Sequence, residues 1–209
     1  MTRLYFVRHG KTVWNLEGRF QGGYGDSALL EESIADAKKT GKALKEVAFT
    51  QAFSSPQKRA KDTATYIIEE SDQVIPLTEQ DGLREIGFGE WEGQLFSYAE
   101  ELHPEEYHNL RSHPEKYDPS AFGGEDYLTL IERSQQVIKE AVKKYPNDNL
   151  LFVAHGVTLI TVIHSLLGEN TREIRSKGLL SNTSVSILDV DTNDNYSVVA
   201  WNDTSHLEK

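Results

Sequence analysis

Apolar positions along this chain follow two alternating rhythms. Compact aliphatic and aromatic runs at 4–7, 47–53, 74–77, 150–154, 184–190 and 196–201 read as strands. Between them, Leu30, Ile34, Ala37, Gly41 and Leu44 step by four, three, four and three, which is one face of a helix. Ala60, Ala64, Ile67 and Ile68 make a second such face, and Leu128, Ile131, Ile138, Ala141, Val142 and Tyr145 a third. Glu125 and Asp126 open that third helix, Lys143 and Lys144 close it, and Pro146 follows, so both ends complement the helix dipole. The stretch 157–167 is apolar on most sides and stops at Gly168, as suits a helix buried against a sheet.

Strands alternating with helices predict a three-layer α/β/α sandwich around a mainly parallel, six-stranded sheet. The last two strands are joined by Asp191-Thr192-Asn193-Asp194-Asn195, a hairpin-length turn, which predicts one antiparallel edge strand. That edge can support a homodimer. From 81 to 124 the rhythm breaks into clusters of Gly, Pro, His and Tyr, read as an insertion of loops and short helices over the sheet. With no internal repeat, 1–209 reads as a single domain.

Composition narrows the function. The 209 residues suffice to bury roughly 70% of the unfolded surface, so the core needs no staples. The absence of cysteine removes disulfides and thiolate metal sites and fits a reducing, cytoplasmic setting. The first apolar run is too short for a signal peptide and is interrupted by Arg8; no window approaches the roughly 18 apolar residues of a membrane span. A net charge of −11 argues against nucleic acid or an anionic membrane as partner, but not against a small anion held in a local positive field.

Two histidines point to such a field. His9 and His155 each close an apolar run, and each is followed by glycine, Gly10 and Gly156. Ligands of open α/β sheets bind at the carboxyl ends of strands, where helix amides also converge. If the two strands are neighbours, the imidazoles share one site, and Arg8 marks it for an anion. After the second strand, Ser54-Ser55-Pro56 is expected to start a helix with Pro56 as its first residue, which brings Arg59 back toward the strand ends. Among 83–93, Glu85, Glu90 and Glu92 compete as a carboxyl group of raised pKa suited to general acid work.

Taken in order, these motifs resemble the histidine phosphatase superfamily, which includes the cofactor-dependent phosphoglycerate mutases. The resemblance runs through Arg8-His9-Gly10 with Thr12 and Asn15, Gln21-Gly22, Ser54-Ser55-Pro56 with Arg59 and Thr63-Ala64. It continues through Leu83-Arg84-Glu85 with Trp91-Glu92-Gly93, Gly123-Gly124-Glu125, His155-Gly156, Asn182-Thr183-Ser184 and the tail from Trp201 to Leu207. It implies that His9 attacks phosphorus and becomes a phosphohistidine. Arg8, Arg59 and His155 then clamp the phosphoryl oxygens, and Glu85 protonates the leaving group. Asn15, Gln21, Gly22 and Gly156 line the substrate. No metal or other cofactor is implied, and the partner is a small phosphate ester.

Departures from the family pattern favour hydrolysis over mutase chemistry. Where the mutases carry Arg-His-Tyr after the acid, a lysine further on and paired arginines in the insertion, this chain has Ile86-Gly87-Phe88, Phe96 and a lone Arg111. Ala28-Leu29-Leu30-Glu31, with Ser33 following, replaces the usual helix opening and is expected to lie away from the phosphate. Lys11 adds positive charge at the rim. Phe20, Phe88, Trp91, Phe96 and Tyr98 either line an apolar substrate pocket or pack the interior. Two alternatives are a metal hydrolase and a catalytically silent phospho-ligand binding module. His103, His108 and His113 recur every five residues, turning about 140° per step on a helix, and do not converge on a metal. His164 reads as a core histidine, and His206 braces the site or simply packs.

Overall fold

Each apolar run contributes a strand to one sheet: β1 (Thr2–Arg8), β2 (Phe49–Ser54), β3 (Leu77–Glu79), β4 (Asn149–Ala154), β5 (Val185–Val190) and β6 (Tyr196–Asp203), in the order β3-β2-β4-β1-β5-β6. The computed structural model describes residues 1–208; Lys209, the end of the expected domain, lies outside the described residues. β1 to β4 run parallel, β5 opposes β1, and β6 opposes β5. The reversed strand is therefore β5, one in from the edge, and the edge strand β6 returns to the common direction. β3 begins at Leu77 rather than at 74: Pro76 has no amide to give, and its carbonyl instead accepts from Ala52 N at 2.9 Å.

The central strands read as nearly continuous apolar runs because helices cover both faces. Tyr5, Val7, Leu151 and Val153 point toward α2 (Glu31–Leu44) and α3 (Lys58–Glu70), packing on Ala37, Leu44, Ala64 and Ile67. Leu4, Phe6, Leu150 and Phe152 point the other way, onto α6 (Tyr127–Lys144) and α7 (Gly156–Leu166). Asp126 caps α6 by accepting from Thr129 N at 2.7 Å, and Gly168 follows α7 in the left-handed region at φ 74°. α3 starts at Lys58, two residues later than expected. Gln57 stays extended because its side chain is used across the fold, donating to Gly22 O and accepting from Glu85 N.

A short α1 (Val13–Glu17) follows β1, and the insertion forms α4 (Phe96–Leu102), α5 (Pro104–Ser112) and four 3-10 turns. It has an aromatic core of its own, with Phe20, Phe88, Trp91, Tyr117 and Phe122 packed on Tyr127, Leu130 and Ile160. Trp91 stacks on Phe122 with centroids 4.0 Å apart. Phe20, Phe88 and Trp91 are thus buried packing residues rather than pocket lining; Phe96 lies against them and Tyr98 is exposed. Arg111, the lone arginine of the insertion, lies over the rings of Phe96 and Tyr107. His103 packs against Trp91 and Phe122, and His108 against His113. Among the described residues no helix is long and apolar enough to cross a membrane, and no group of His, Asp and Glu is arranged to hold a metal.

Candidate active site

Parallel pairing of β1 with β4 sets Arg8 opposite Ala154, so the two chain segments leave the sheet side by side. His9 N donates to Ala154 O, and the His9 and His155 rings meet edge-on with centroids 5.1 Å apart. The backbone around His9 is held from three sides. Asn182 Nδ2 donates to His9 O at 2.9 Å, Thr183 N to Arg8 O at 2.9 Å, and Gly10 N to Thr63 Oγ1 at 3.1 Å. His9 Nδ1 lies 2.7 Å from Gly10 O. A carbonyl can only accept, so Nδ1 carries the proton and Nε2 keeps its lone pair.

Both rings are neutral in this setting. Burial, with Arg59 and Arg8 adding to it, pushes His9 well below the ordinary histidine range, against the hydrogen bond to Gly10. His155 is lowered by burial first, then by Arg59, His9 and Arg8. His155 has no exposed surface, and neither of its nitrogens has a partner among the described residues. Nε of Arg8 and Nε of Arg59 are likewise buried and unpartnered, although most buried polar atoms in proteins are paired. Three cationic or neutral donors without acceptors beside a ring nitrogen with a free lone pair make an anion cradle.

Both Nη atoms of Arg59 and Nη1 of Arg8 are fixed to the protein. Arg59 Nη1 donates to Gly25 O and Asp26 Oδ1 at 2.8 and 3.1 Å, and Nη2 to Gly22 O at 3.1 Å. Arg8 Nη1 donates to Leu180 O. A Cβ on Gly156 would sit 3.1 Å from Arg8 Nε, so the glycine at the start of α7 is what lets the arginine lie across the helix end. Glu92 holds the loop that carries the Arg59 acceptors, taking hydrogen bonds from Gly22 N, Gly25 N and Phe88 N at 3.0, 3.0 and 3.2 Å.

Among the three competing glutamates, the structure separates the roles. Glu90 is exposed and Glu92 is the loop clamp, whereas Glu85 is buried at the amino end of α7 beside His155. Its Oε1 accepts from Ile86 N, Thr158 N and Thr158 Oγ1, each at 2.9 Å; among the described residues its Oε2 accepts only from Val157 N, at 3.0 Å. Arg133 fixes the segment from behind, donating to Gly82 O, Arg84 O and Glu85 O while forming a two-point ion pair with Glu125 at 2.6 and 2.7 Å.

Of the expected site residues, Arg8, His9, Arg59, Glu85, His155 and Gly156 come together. Asn15 stands nearby, its Oδ1 accepting from Thr12 N in a capping box at the start of α1. Gln21 and Gly22 lie beside Arg59, and their carbonyls accept from its Nη2. The Gln21 side chain bonds Thr12, Ser27 and Asp26, and the Gly22 amide belongs to Glu92. The helix start at Ser33 is not remote: its Cβ lies 2.9 Å from where a side chain on Gly10 would begin. His206 Nε2 lies 3.0 Å from Thr40 Oγ1 and 3.1 Å from Thr183 O, bracing the segment that holds β1, and His164 packs edge-on to Trp201. Arg133, Thr158, Thr63 and Asn182 were not assigned roles from the sequence. The last two fall within the recognised motifs, but their partners lie 53 and 173 residues away. A larger concavity of about 890 Å³ lies at the opposite strand ends, lined by Met1, Lys139, Asp191 and Tyr196, and contains none of these groups.

The sheet and its paired strand-end histidines define an α/β enzyme built around an anion. The chain belongs to the histidine phosphatase superfamily (branch 1), whose pattern matches residues 4–204. It is similar to phosphoglycerate mutase-like protein 4 of Arabidopsis thaliana, 31% identical over 204 residues that cover 97% of this chain and 86% of that protein. It is also similar to the metal-independent phosphoserine phosphatase of the same plant, 30% identical over 213 residues that cover 99% of this chain and 84% of that one. Among solved structures, Bacillus stearothermophilus YhfR superposes with a TM-score of 0.93 at 31% identity, covering 99% of this chain and 100% of its own.

Proposed function

We infer that this chain is a metal-independent phosphomonoesterase that hydrolyses a small phosphorylated metabolite through a phosphohistidine at His9. The observation that carries the reading is the His9 tautomer: Nδ1 is committed to Gly10 O, and a neutral Nε2 opens onto the unpartnered donors of Arg8, Arg59 and His155. Nε2 attacks phosphorus as the bond to the leaving oxygen breaks. The three donors meet the negative charge spread over the phosphoryl oxygens. Glu85 supplies the proton to the leaving oxygen from Oε2, the carboxyl oxygen with a single protein donor. Water then attacks the phosphohistidine, Glu85 takes its proton, and the P–N bond breaks to regenerate neutral His9. Asn15 adds a neutral donor at the rim, while Gln21 and Gly22 act by holding Arg59. The whole chain serves this one site as a single domain, the insertion at 81–124 roofing it.

Hydrolysis is favoured over mutase chemistry because Arg111 is occupied by Phe96 and Tyr107, and Phe88 is buried packing. Phosphoserine is the first metabolite to try, given the relative named for it. The test is turnover of p-nitrophenyl phosphate and phosphoserine in the presence of chelator, with rapid acid-avoiding quench to trap phosphoenzyme. Chelator-resistant turnover and an acid-labile phosphohistidine that His9→Ala abolishes are expected. Turnover that chelator removes would sink the reading, and efficient interconversion of 2- and 3-phosphoglycerate would move the chain to the mutases.

A further inference from the structure

The connection between α7 and β5 carries a cation for which the phosphate cradle has no use. Arg175 ends the 3-10 turn Thr171–Arg175, and its Nη2 donates to Tyr127 Oη at 3.1 Å. Tyr127 Oη in turn donates to Leu110 O at 2.9 Å, so its lone pair is aimed at Arg175 and pins it. Arg175 Nε is buried without a partner among the described residues. Five residues further on, Leu180 O accepts from Arg8 Nη1, so one short connection touches both arginines.

Electrostatics agree with this grouping. The charge of Arg8 is disfavoured first by burial, is favoured by Glu85, and is disfavoured again by Arg175. Burial raises the Tyr127 hydroxyl, and both Arg175 and Glu85 act on it. Arg175 therefore stands in the cluster of Arg8, Glu85 and Tyr127, tied to it by Tyr127 Oη and by the connection whose Leu180 O holds Arg8. The three phosphoryl oxygens already have three waiting donors, in Arg8, Arg59 and His155. A fourth donor, and a cationic one, has none of those oxygens left to bind.

We propose that Arg175 is a specificity residue that binds a second anionic group, a carboxylate, carried by the leaving group of the phosphomonoester. The proposal rests on the phosphatase reading above. It differs from the grip of the mutases, whose basic positions are occupied here by Ile86-Gly87-Phe88 and Phe96.

Two substrate pairs that differ only by a carboxylate-bearing end test it: phosphoserine against phosphoethanolamine, and 3-phosphoglycerate against glycerol 3-phosphate. Wild-type protein is expected to prefer the carboxylate member of at least one pair about ten-fold or more in kcat/KM, the scale of one charge-assisted contact. Arg175→Met should collapse that preference to about two-fold or less through KM, with kcat and p-nitrophenyl phosphate turnover held within about two-fold. Arg175→Lys, which keeps the charge but not the fork, should retain part of the preference. A thermal melt of each variant checks folding. No preference in either pair, or an equal loss on every substrate in Arg175→Met, overturns the proposal and leaves the phosphatase reading standing. Absence of wild-type turnover on all five esters overturns both.

Discussion

Arg133 offers a quantitative check on how Glu85 is held. Its guanidinium makes five hydrogen bonds, two to the Glu125 carboxylate and three to the carbonyls of Gly82, Arg84 and Glu85. Arg133→Met keeps much of the apolar length but leaves Glu125 without its cation and three carbonyls without donors. Breaking a fully buried pair costs about 3–5 kcal/mol. The side chains here retain 24% and 17% exposure, so water relieves part of the loss. A cost of about 2–4 kcal/mol follows, which for a chain of this size lowers Tm by about 5–15 °C. Scanning calorimetry measures it, and a double-mutant cycle with Glu125→Gln separates the pair from the carbonyl contacts. The same variant releases the backbone that aims Glu85. Turnover of an alkyl phosphate, whose poor leaving group needs a proton, should then fall about ten-fold or more, while an aryl phosphate loses much less. A Tm drop below about 2 °C together with unchanged alkyl ester turnover would refute the reasoning.

Three further outcomes are expected. His9 and His155 are depressed below their ordinary 6.5 mainly by burial, and His164 and His206 are lowered in the same direction. The unfolded chain therefore takes up protons below about pH 6.5 that the native chain refuses, so stability present above that pH is lost as pH falls toward the folded values. Urea midpoints should drop between pH 7 and 5; a flat profile would contradict the neutral assignment. Gly10→Ala sets a methyl 2.9 Å from Ser33 Cβ and should destabilise by about 1–3 kcal/mol, with Ser33→Gly restoring most of it in chemical denaturation. Glu92→Ala frees the amides of Gly22, Gly25 and Phe88 and loosens the acceptors of Arg59, so KM should rise about ten-fold, more than kcat falls. Equal effects on both constants, or none, would mean that the loop does not position Arg59.

Much of the candidate site was legible because its members lie at predictable points on elements. His9 and His155 follow apolar runs, and a strand buried on both faces announces itself through composition alone. Arg59 was placed near the site even though α3 starts two residues later than the proline suggested; one helical turn of tolerance absorbed the error. Glu85 could not be chosen over Glu90 and Glu92 by residue type, because all three share the same flanking glycines and aromatics. The family resemblance singled out Glu85, and the tertiary structure adds what holds it: Thr158 and the amides of α7, some 73 residues away. The aromatics of the insertion were equally ambiguous, since a ring that lines a pocket and one that packs a small core have the same letters.

The sequence by itself determined which residues are strands, which are helices, and which side chains stand at strand ends, because these depend on local periodicity and on the covalent order of the chain. It also carried the family resemblance, through short motifs in a fixed order. Only the tertiary structure decided that β1 and β4 are neighbours, that β5 rather than the edge strand is reversed, and that the carbonyls of Gln21 and Gly22, with Glu92 behind them, hold Arg59. It alone brought the connection that carries Arg175 onto Arg8, through Leu180 O. Those are matters of long-range register and of which polar atoms find partners on folding. A hydrogen bond between residues far apart in sequence leaves no periodic trace in the chain that makes it.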